Sequence, residues 1–240
     1  MKIGLQMYTI RDAITNGDEL LAALTKVKSL GYEGVEFAGY HNLPAPELAQ
    51  HLSEIGLAVA GSHESIDAME NDMDTLIEYA KAIGNRNISM AWSETDTEEK
   101  LARTLNVLRS ARAKAEPHGI RVLYHNHDHE FKPLGDRLPI DEIMQVCPLE
   151  ADCYWIFYAG GNAPAYLRKN ASSIGLVHIK DGGSQKPSPC ALGEGENDIA
   201  GICAAAAEIG TEWLIVEDDF PTPNGFADIE RSMKWLQQHI

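Results

Sequence analysis

The sequence predicts an α/β fold, a single closed (β/α)8 barrel of near-minimal length. Three observations predict it. A helix-period stretch ending at a breaker and followed by a short apolar run recurs along the chain. These units consume residues 1–240 and leave no length for a second domain. No glycine-rich phosphate loop follows the first apolar run, where an open doubly wound sheet, the competing architecture, usually carries one.

The units can be read in order. Lys2–Met7 is the opening run and needs no preceding helix. Asp18–Ser29 places Leu20, Leu21, Leu24 and Val27 on one helical face, stops at Gly31 and leads to Gly34–Phe37. Gly56 precedes Leu57–Ala60. Asp72–Ile83 carries Met73, Leu76, Ile77 and Ala80, stops at Gly84 and leads to Asn87–Met90. Thr97–Glu116 carries Leu101, Leu105 and Leu108 and opens with a capping Thr97 followed by Glu98 and Glu99, as the helix dipole favours. Gly119 stops it before Ile120–Tyr124. The interval from Gly119 to Gly175 is a double one, and its missing stop is Cys147-Pro148 before the run Leu149–Cys153. Gly175 precedes Leu176–Ile179, and Gly210 precedes Trp213–Val216. Glycine suits these stops because it accepts the left-handed backbone without a Cβ clash.

Charge narrows the function. Asp and Glu number 36 against 20 Lys and Arg, a formal net charge of −16. That field argues against a general nucleic-acid binder. No run of about 18 apolar residues predicts a membrane span. The opening MKIGLQMYTIRD lacks an apolar signal core, and the four cysteines show no CxxC spacing, so the expectation is a cytoplasmic protein with reduced thiols.

In a barrel of this type the chemistry sits at the C-terminal ends of the strands. There the sequence offers Gln6 and Tyr8, then Glu36, Ser62-His63-Glu64, Trp92, His125-Asn126-His127, Asp152 and Trp155, His178-Ile179-Lys180-Asp181, and Glu217-Asp218-Asp219. Five of the nine histidines, His129 included, fall at or just beyond these ends. Mixed imidazole and carboxylate donors on different strands suit one divalent ion, Mn²⁺, Zn²⁺, Co²⁺, Fe²⁺ or Mg²⁺, better than Ca²⁺. A hydrogen-bonded loop histidine, a carboxylate paired with arginine, and a metal-scavenging surface loop over 125–130 are the plainer alternatives.

Seven segments, GLQMYTIRD, YEGVEF, YHNHDHEF, ADCYWI, LVHIKDG, ALGEGE and WLIVEDD, occur in an order that resembles the xylose isomerase-like TIM barrels, the sugar phosphate isomerase/epimerase group. The resemblance implies one divalent metal held by strands five to eight, on Asp152, His178 and Glu217, with His125 where many relatives carry a glutamate. It implies an isomerase or epimerase acting on a sugar or polyol-ketone through an enediolate. Only Glu217 remains of the two glutamates that flank the substrate in the family's 3-epimerases. Other bases in the ring are Glu36, His63, His127 and Glu130, and Lys180 suits enediolate stabilisation or a phosphate or hydroxyl contact. Trp155 stands where relatives often have a ligating histidine and offers a flat wall for a sugar ring. The expected substrate contacts are His63, Trp155, Glu130, Tyr8 and Arg11.

The same parts serve a lyase of the inosose dehydratase or 3-keto-glycoside type, which is the alternative. A nuclease is disfavoured by the charge, and a sugar-binding barrel without activity by the retained ligands. Gly193–Glu196 reads as a mobile loop near the mouth. The resemblance also implies a homodimer or homotetramer.

Overall fold

The structure, a computed structural model, describes residues 1–240. Its strands are β1 (Lys2–Gln6), β2 (Gly34–Phe37), β3 (Ala58–Glu64), β4 (Asn87–Met90), β5 (Arg121–His125), β6 (Leu149–Asp152), β7 (Ile174–Ile179) and β8 (Trp213–Val216). All pair in parallel and close with β8 beside β1. Each strand is one of the apolar runs expected above. A short ribbon of Asp181–Gly182 with Pro189–Cys190 follows β7.

Helices between the strands cover the barrel. The main ones span Gly17–Ser29, Ala45–Ile55, Met73–Ile83, Glu98–Ala115, Pro139–Val146, Ile199–Glu208 and Gly225–His239. Thr97 caps its helix by accepting from Lys100 N. Gly56 and Gly84 end theirs at φ 63° and 73°, and Gly119, at φ 70°, ends the 3-10 turn Glu116–His118 that continues the Glu98–Ala115 helix. Cys147, in extended backbone before Pro148, ends the Pro139–Val146 helix as the proline requires. Gly175 differs from expectation: it lies inside β7, and a Cβ there would sit 2.3 Å from Leu123 Cδ2, so the glycine makes room rather than ending a helix.

Strand periodicity separates two cores. Outward residues such as Val35, Val122, Ala151, Val177 and Leu214 join a 54-residue cluster between barrel and helices. Ala60, Leu123, Leu176, Trp213 and Ile215 plug the lower barrel. Polar residues begin one layer above this plug. A bulge in β3 opposite Glu36 inserts Ala60 as an unpaired residue, because Val35 pairs Val59 while Glu36 pairs Gly61. Alternation is thereby reset, and both Ala60 and His63 reach the interior. No helix is long and apolar enough to cross a membrane. All four cysteines are unpaired.

Candidate active site

Two polar layers fill the upper barrel. In the lower one, inward positions of β2, β3, β6 and β7 bring together Glu36, His63, Glu150 and His178. His63 Nε2 lies 2.6 Å from Glu150 Oε2 and 3.2 Å from Glu36 Oε2. His178 Nε2 lies 2.7 Å from Glu36 Oε2 and 3.4 Å from Glu150 Oε1. Gln6 donates to Glu36 Oε2 at 2.8 Å. A Cβ on Gly61 would approach Glu36 Oε1 to 2.5 Å, so glycine keeps the space for this carboxylate.

Charge sharing sets the protonation of this layer. Burial and the neighbouring Glu150 push the Glu36 carboxyl up to about 7. Burial opposes charge on His63, but Glu36 and Glu150 outweigh it and raise the imidazole to about 9. Burial also opposes charge on Glu150, yet His178 and His63 hold it well below the usual carboxylate range.

The upper layer consists of His125, Asp152, Lys180 and Glu217, with Asp219 at its edge. Asp152 Oδ1 caps the helix Cys153–Tyr158 by accepting from Trp155 N at 2.9 Å, which fixes the direction of Oδ2. Asn126 locks the end of β5 to β6 by accepting from Asp152 N and donating to Asp152 O. His125 Nδ1 donates to Ala91 O at 3.4 Å, leaving a lone pair on Nε2. That Nε2 is 3.3 Å from Asp152 Oδ2 and 3.7 Å from Glu217 Oε2. Glu217 Oε2 meets His178 Nδ1 at 3.1 Å. The Lys180 ammonium, fully buried, lies 2.8 Å from Glu217 Oε2, 3.1 Å from Asp152 Oδ2 and 2.8 Å from Asp219 Oδ2. Burial resists ionisation of Asp152 and Glu217, but Lys180 outweighs it and holds both well below the usual carboxylate range.

This donor set fits a divalent cation. Single donor atoms of His125, Asp152, His178 and Glu217 lie within 4.8 Å of one another. His125 Nε2 is buried without a donor and faces Asp152 Oδ2 at 3.3 Å, an oxygen whose neighbouring cation is the Lys180 ammonium at 3.1 Å. A buried lone pair without a donor is costly, and an ion between the two satisfies it.

Above the layers opens a cavity of about 670 Å³ lined by Tyr8, His63, Trp92, His125, His127, Glu217 and Asp219 among others. The Arg11 guanidinium stacks on the Tyr8 ring at 4.0 Å and donates to Tyr8 O and Asp219 O, which ties the loop after β1 to that after β8. Trp155 packs beside His127, with ring centroids 5.5 Å apart, and its centroid is 5.6 Å from Lys180 Nζ. Burial first, then the neighbouring His125 and Lys180, push the His127 imidazole well below its usual range, so it is neutral at pH 7.

Of the expected catalytic and substrate residues, Glu36, Lys180, Glu130, Trp155 and Arg11 do not line the cavity. Glu130 turns away from the cavity; it accepts from the Tyr124 hydroxyl at 2.6 Å and from His127 N at 2.8 Å, so it braces the His127 loop. Glu36, expected as a direct base, is enclosed by Gln6, His63 and His178 beneath the cavity. Gly193–Glu196, expected to be mobile, is tied down. The Asp181 carboxylate accepts from the backbone of Gly193, Gly195 and Asn197 at 2.9, 3.0 and 3.1 Å.

Glu150 is the residue that sequence reasoning missed. Its signal was present: it stands two before Asp152 on one strand and therefore on the same face.

Sequence comparison matches residues 24–239 to the family profile described as xylose isomerase-like TIM barrel. No curated protein sequence matches the chain. Among solved structures, a sugar phosphate isomerase/epimerase from Parabacteroides distasonis ATCC 8503 is similar at 20% identity and a TM-score of 0.84, over 99% of this chain and 98% of that one. L-ribulose 3-epimerase is similar at 17% identity and 0.76, over 99% and 94%. The probable 3-DHS dehydratase AsbF from Bacillus anthracis is similar at 14% identity and 0.76, over 99% of each chain. At such identities the likeness is one of fold.

Proposed function

The chain belongs to the xylose isomerase-like TIM barrel family, and on that premise we propose that it is a divalent-metal-dependent isomerase or epimerase acting on a sugar or sugar-like ketone through an enediolate. One observation carries the reading: His125, Asp152, His178 and Glu217 converge at the floor of the cavity, with the buried Nε2 of His125 lacking a donor. When bound, the ion supplies positive charge where a substrate carbonyl acquires negative charge.

The remaining work falls to the chain's own side chains. The cavity takes a sugar-sized molecule, with the Tyr8 and Trp92 rings as apolar wall and His63, His127 and Asp219 as polar contacts. Glu217 is ionised and lines the cavity, so it is the carboxylate that takes the α-proton. Neutral His127 is the second proton carrier. Lys180, beside Glu217, offers its ammonium to the developing oxyanion. Glu36 is a positioning residue that acts through His178 and His63.

Incubation of Mn²⁺-loaded protein with a panel of ketoses in D₂O tests this. Metal-dependent deuterium incorporation at carbon is expected. Its absence across pentuloses, hexuloses and their phosphates overturns the reading.

β-Elimination is the second reading, favoured by one feature of the cavity wall. It pairs the ionised Glu217 with an imidazole, His63, held protonated at neutral pH by two carboxylates. A base with a partnered acid suits departure of a hydroxyl or glycosidic oxygen. An unsaturated or deoxy product from inososes or 3-keto-glycosides establishes it, and a change of stereochemistry alone excludes it.

A further inference from the structure

We propose that Lys180 is a resident counter-ion of the candidate metal site, seated on the carboxylate oxygens that a divalent ion requires, and that metal binding moves its ammonium onto Asp219 at the cavity wall. The inference rests on the metal-site reading above and adds to it a competition within the chain itself.

The geometry defines the competition. Lys180 Nζ contacts Glu217 Oε2 at 2.8 Å and Asp152 Oδ2 at 3.1 Å. Asp152 Oδ2 is the atom presented by the cap on Trp155 N, so the ammonium takes the oxygen otherwise free to ligate. Without a cation, Asp152 and Glu217 are two carboxylates buried beside each other, an arrangement that an interior does not tolerate uncompensated. Lys180, itself fully buried, supplies the charge.

An ammonium and a divalent ion cannot share the same two oxygens, because like charges at contact distance repel strongly in a desolvated site. The structure contains the place to which the ammonium yields. Asp219 Oδ2 is already 2.8 Å from Nζ, and its side chain is 20% exposed, against 0% for Asp152 and 4% for Glu217. Asp219 lines the cavity. A lysine that lets go of Asp152 and Glu217 while keeping Asp219 therefore moves toward the substrate. Metal uptake and delivery of the ammonium to the cavity become one event.

Removing the competitor should tighten the metal, whereas a lysine that only contacts substrate leaves metal affinity unchanged. The test is calorimetric titration of the full-length, chelator-treated protein with Mn²⁺, with folding checked by circular dichroism. Lys180→Met is expected to bind Mn²⁺ at least tenfold more tightly than wild type. Saturating Mn²⁺ should raise its unfolding temperature by more than it raises that of wild type. Lys180→Arg, which keeps the charge, should bind no more tightly than wild type.

Equal or weaker Mn²⁺ binding by folded Lys180→Met overturns the proposal. If Lys180→Met is unfolded without metal, Mn²⁺ must restore its fold at concentrations that leave wild type unsaturated, and failure to do so also overturns it. His178→Ala separates the two levels. If it abolishes Mn²⁺ binding by wild type while Lys180→Met matches wild type, the metal site stands and the counter-ion role falls. If neither wild type nor Lys180→Met binds Mn²⁺, both fall.

Discussion

Glu150 is the sharpest place to test the internal electrostatics, because it lines no cavity and its effect is on the fold itself. Its carboxylate is fully buried and bonded to His63 Nε2 at 2.6 Å, with His178 Nε2 at 3.4 Å. Truncating one partner of a buried ion pair costs about 3–5 kcal/mol, since the other charge is left desolvated. Here Glu36 still faces both imidazoles at 3.2 and 2.7 Å, which places Glu150→Ala at the lower end, about 3 kcal/mol. For a chain of this size each kcal/mol shifts Tm by roughly 2–4 °C, so Tm should fall by roughly 6–12 °C. Glu150→Gln keeps an oxygen for His63 and replaces a charge-assisted bond by a neutral one, a loss of about 1 kcal/mol and roughly 2–4 °C. Thermal unfolding followed by circular dichroism at pH 7 in chelator measures both. If the two variants melt within 2 °C of wild type, about the shift that 1 kcal/mol produces, the network is not holding the barrel together in the way described.

Three further outcomes follow from the same geometry. His63 is raised from 6.5 to about 9, so its stabilising contribution is complete below pH 6.5 and is lost as pH rises through 9; Glu36, raised to about 7, changes in the same direction. Chelator-treated protein should therefore lose urea resistance between pH 6.5 and 9, and a flat profile there refutes the shared proton between His63 and its carboxylates. Gly61→Ala drives a Cβ to 2.5 Å from Glu36 Oε1 and should destabilise by roughly 1–3 kcal/mol in denaturant titration, whereas an unchanged midpoint means the carboxylate has room to move. Asp181→Ala removes the common acceptor of the Gly193, Gly195 and Asn197 amides, and hydrogen exchange over 193–197 should speed up while that of β7 stays slow.

The fold was legible in the sequence because its signals are local and repeated. A glycine such as Gly56 or Gly84 closes a helix through its own backbone, and the apolar run after it has little choice but to be a strand. The upper site was legible for the same reason: His125, Asp152, His178 and Glu217 each stand at a strand end. The lower layer was not. Glu150 reads as one polar residue within a short apolar run, and its meaning depends on His63, which reaches the interior only through the bulge at Ala60. Glu130 misled because the turn after β5 is a 3-10 helix, His129–Phe131, that rotates its carboxylate back onto Tyr124. The Gly193–Glu196 loop looked free because its anchor, Asp181, is separated from it in sequence.

The two layers are not independent, and His178 joins them. On β6, Glu150 and Asp152 are two apart; His178 on β7 and Lys180 just past its end are likewise two apart, and Asp152 pairs with His178 across the sheet. Each strand thus contributes one group below and one above, and the His178 ring spans the step. Its Nε2 is 2.7 Å from Glu36 and its Nδ1 is 3.1 Å from Glu217. A ring that donates from Nε2 to a carboxylate has its orientation fixed and its Nδ1 made more basic, which is how outer carboxylates tune histidine ligands. Glu36 should therefore govern metal affinity without touching the metal. Glu36→Ala is expected to weaken Mn²⁺ binding about 10–100-fold, the usual cost of losing such a partner, and Glu36→Gln, which still accepts from Nε2, to weaken it less. Calorimetry on both folded variants decides. Wild-type affinity in Glu36→Ala would mean that His178 is aimed by its packing alone, and that the lower layer serves stability and nothing above it.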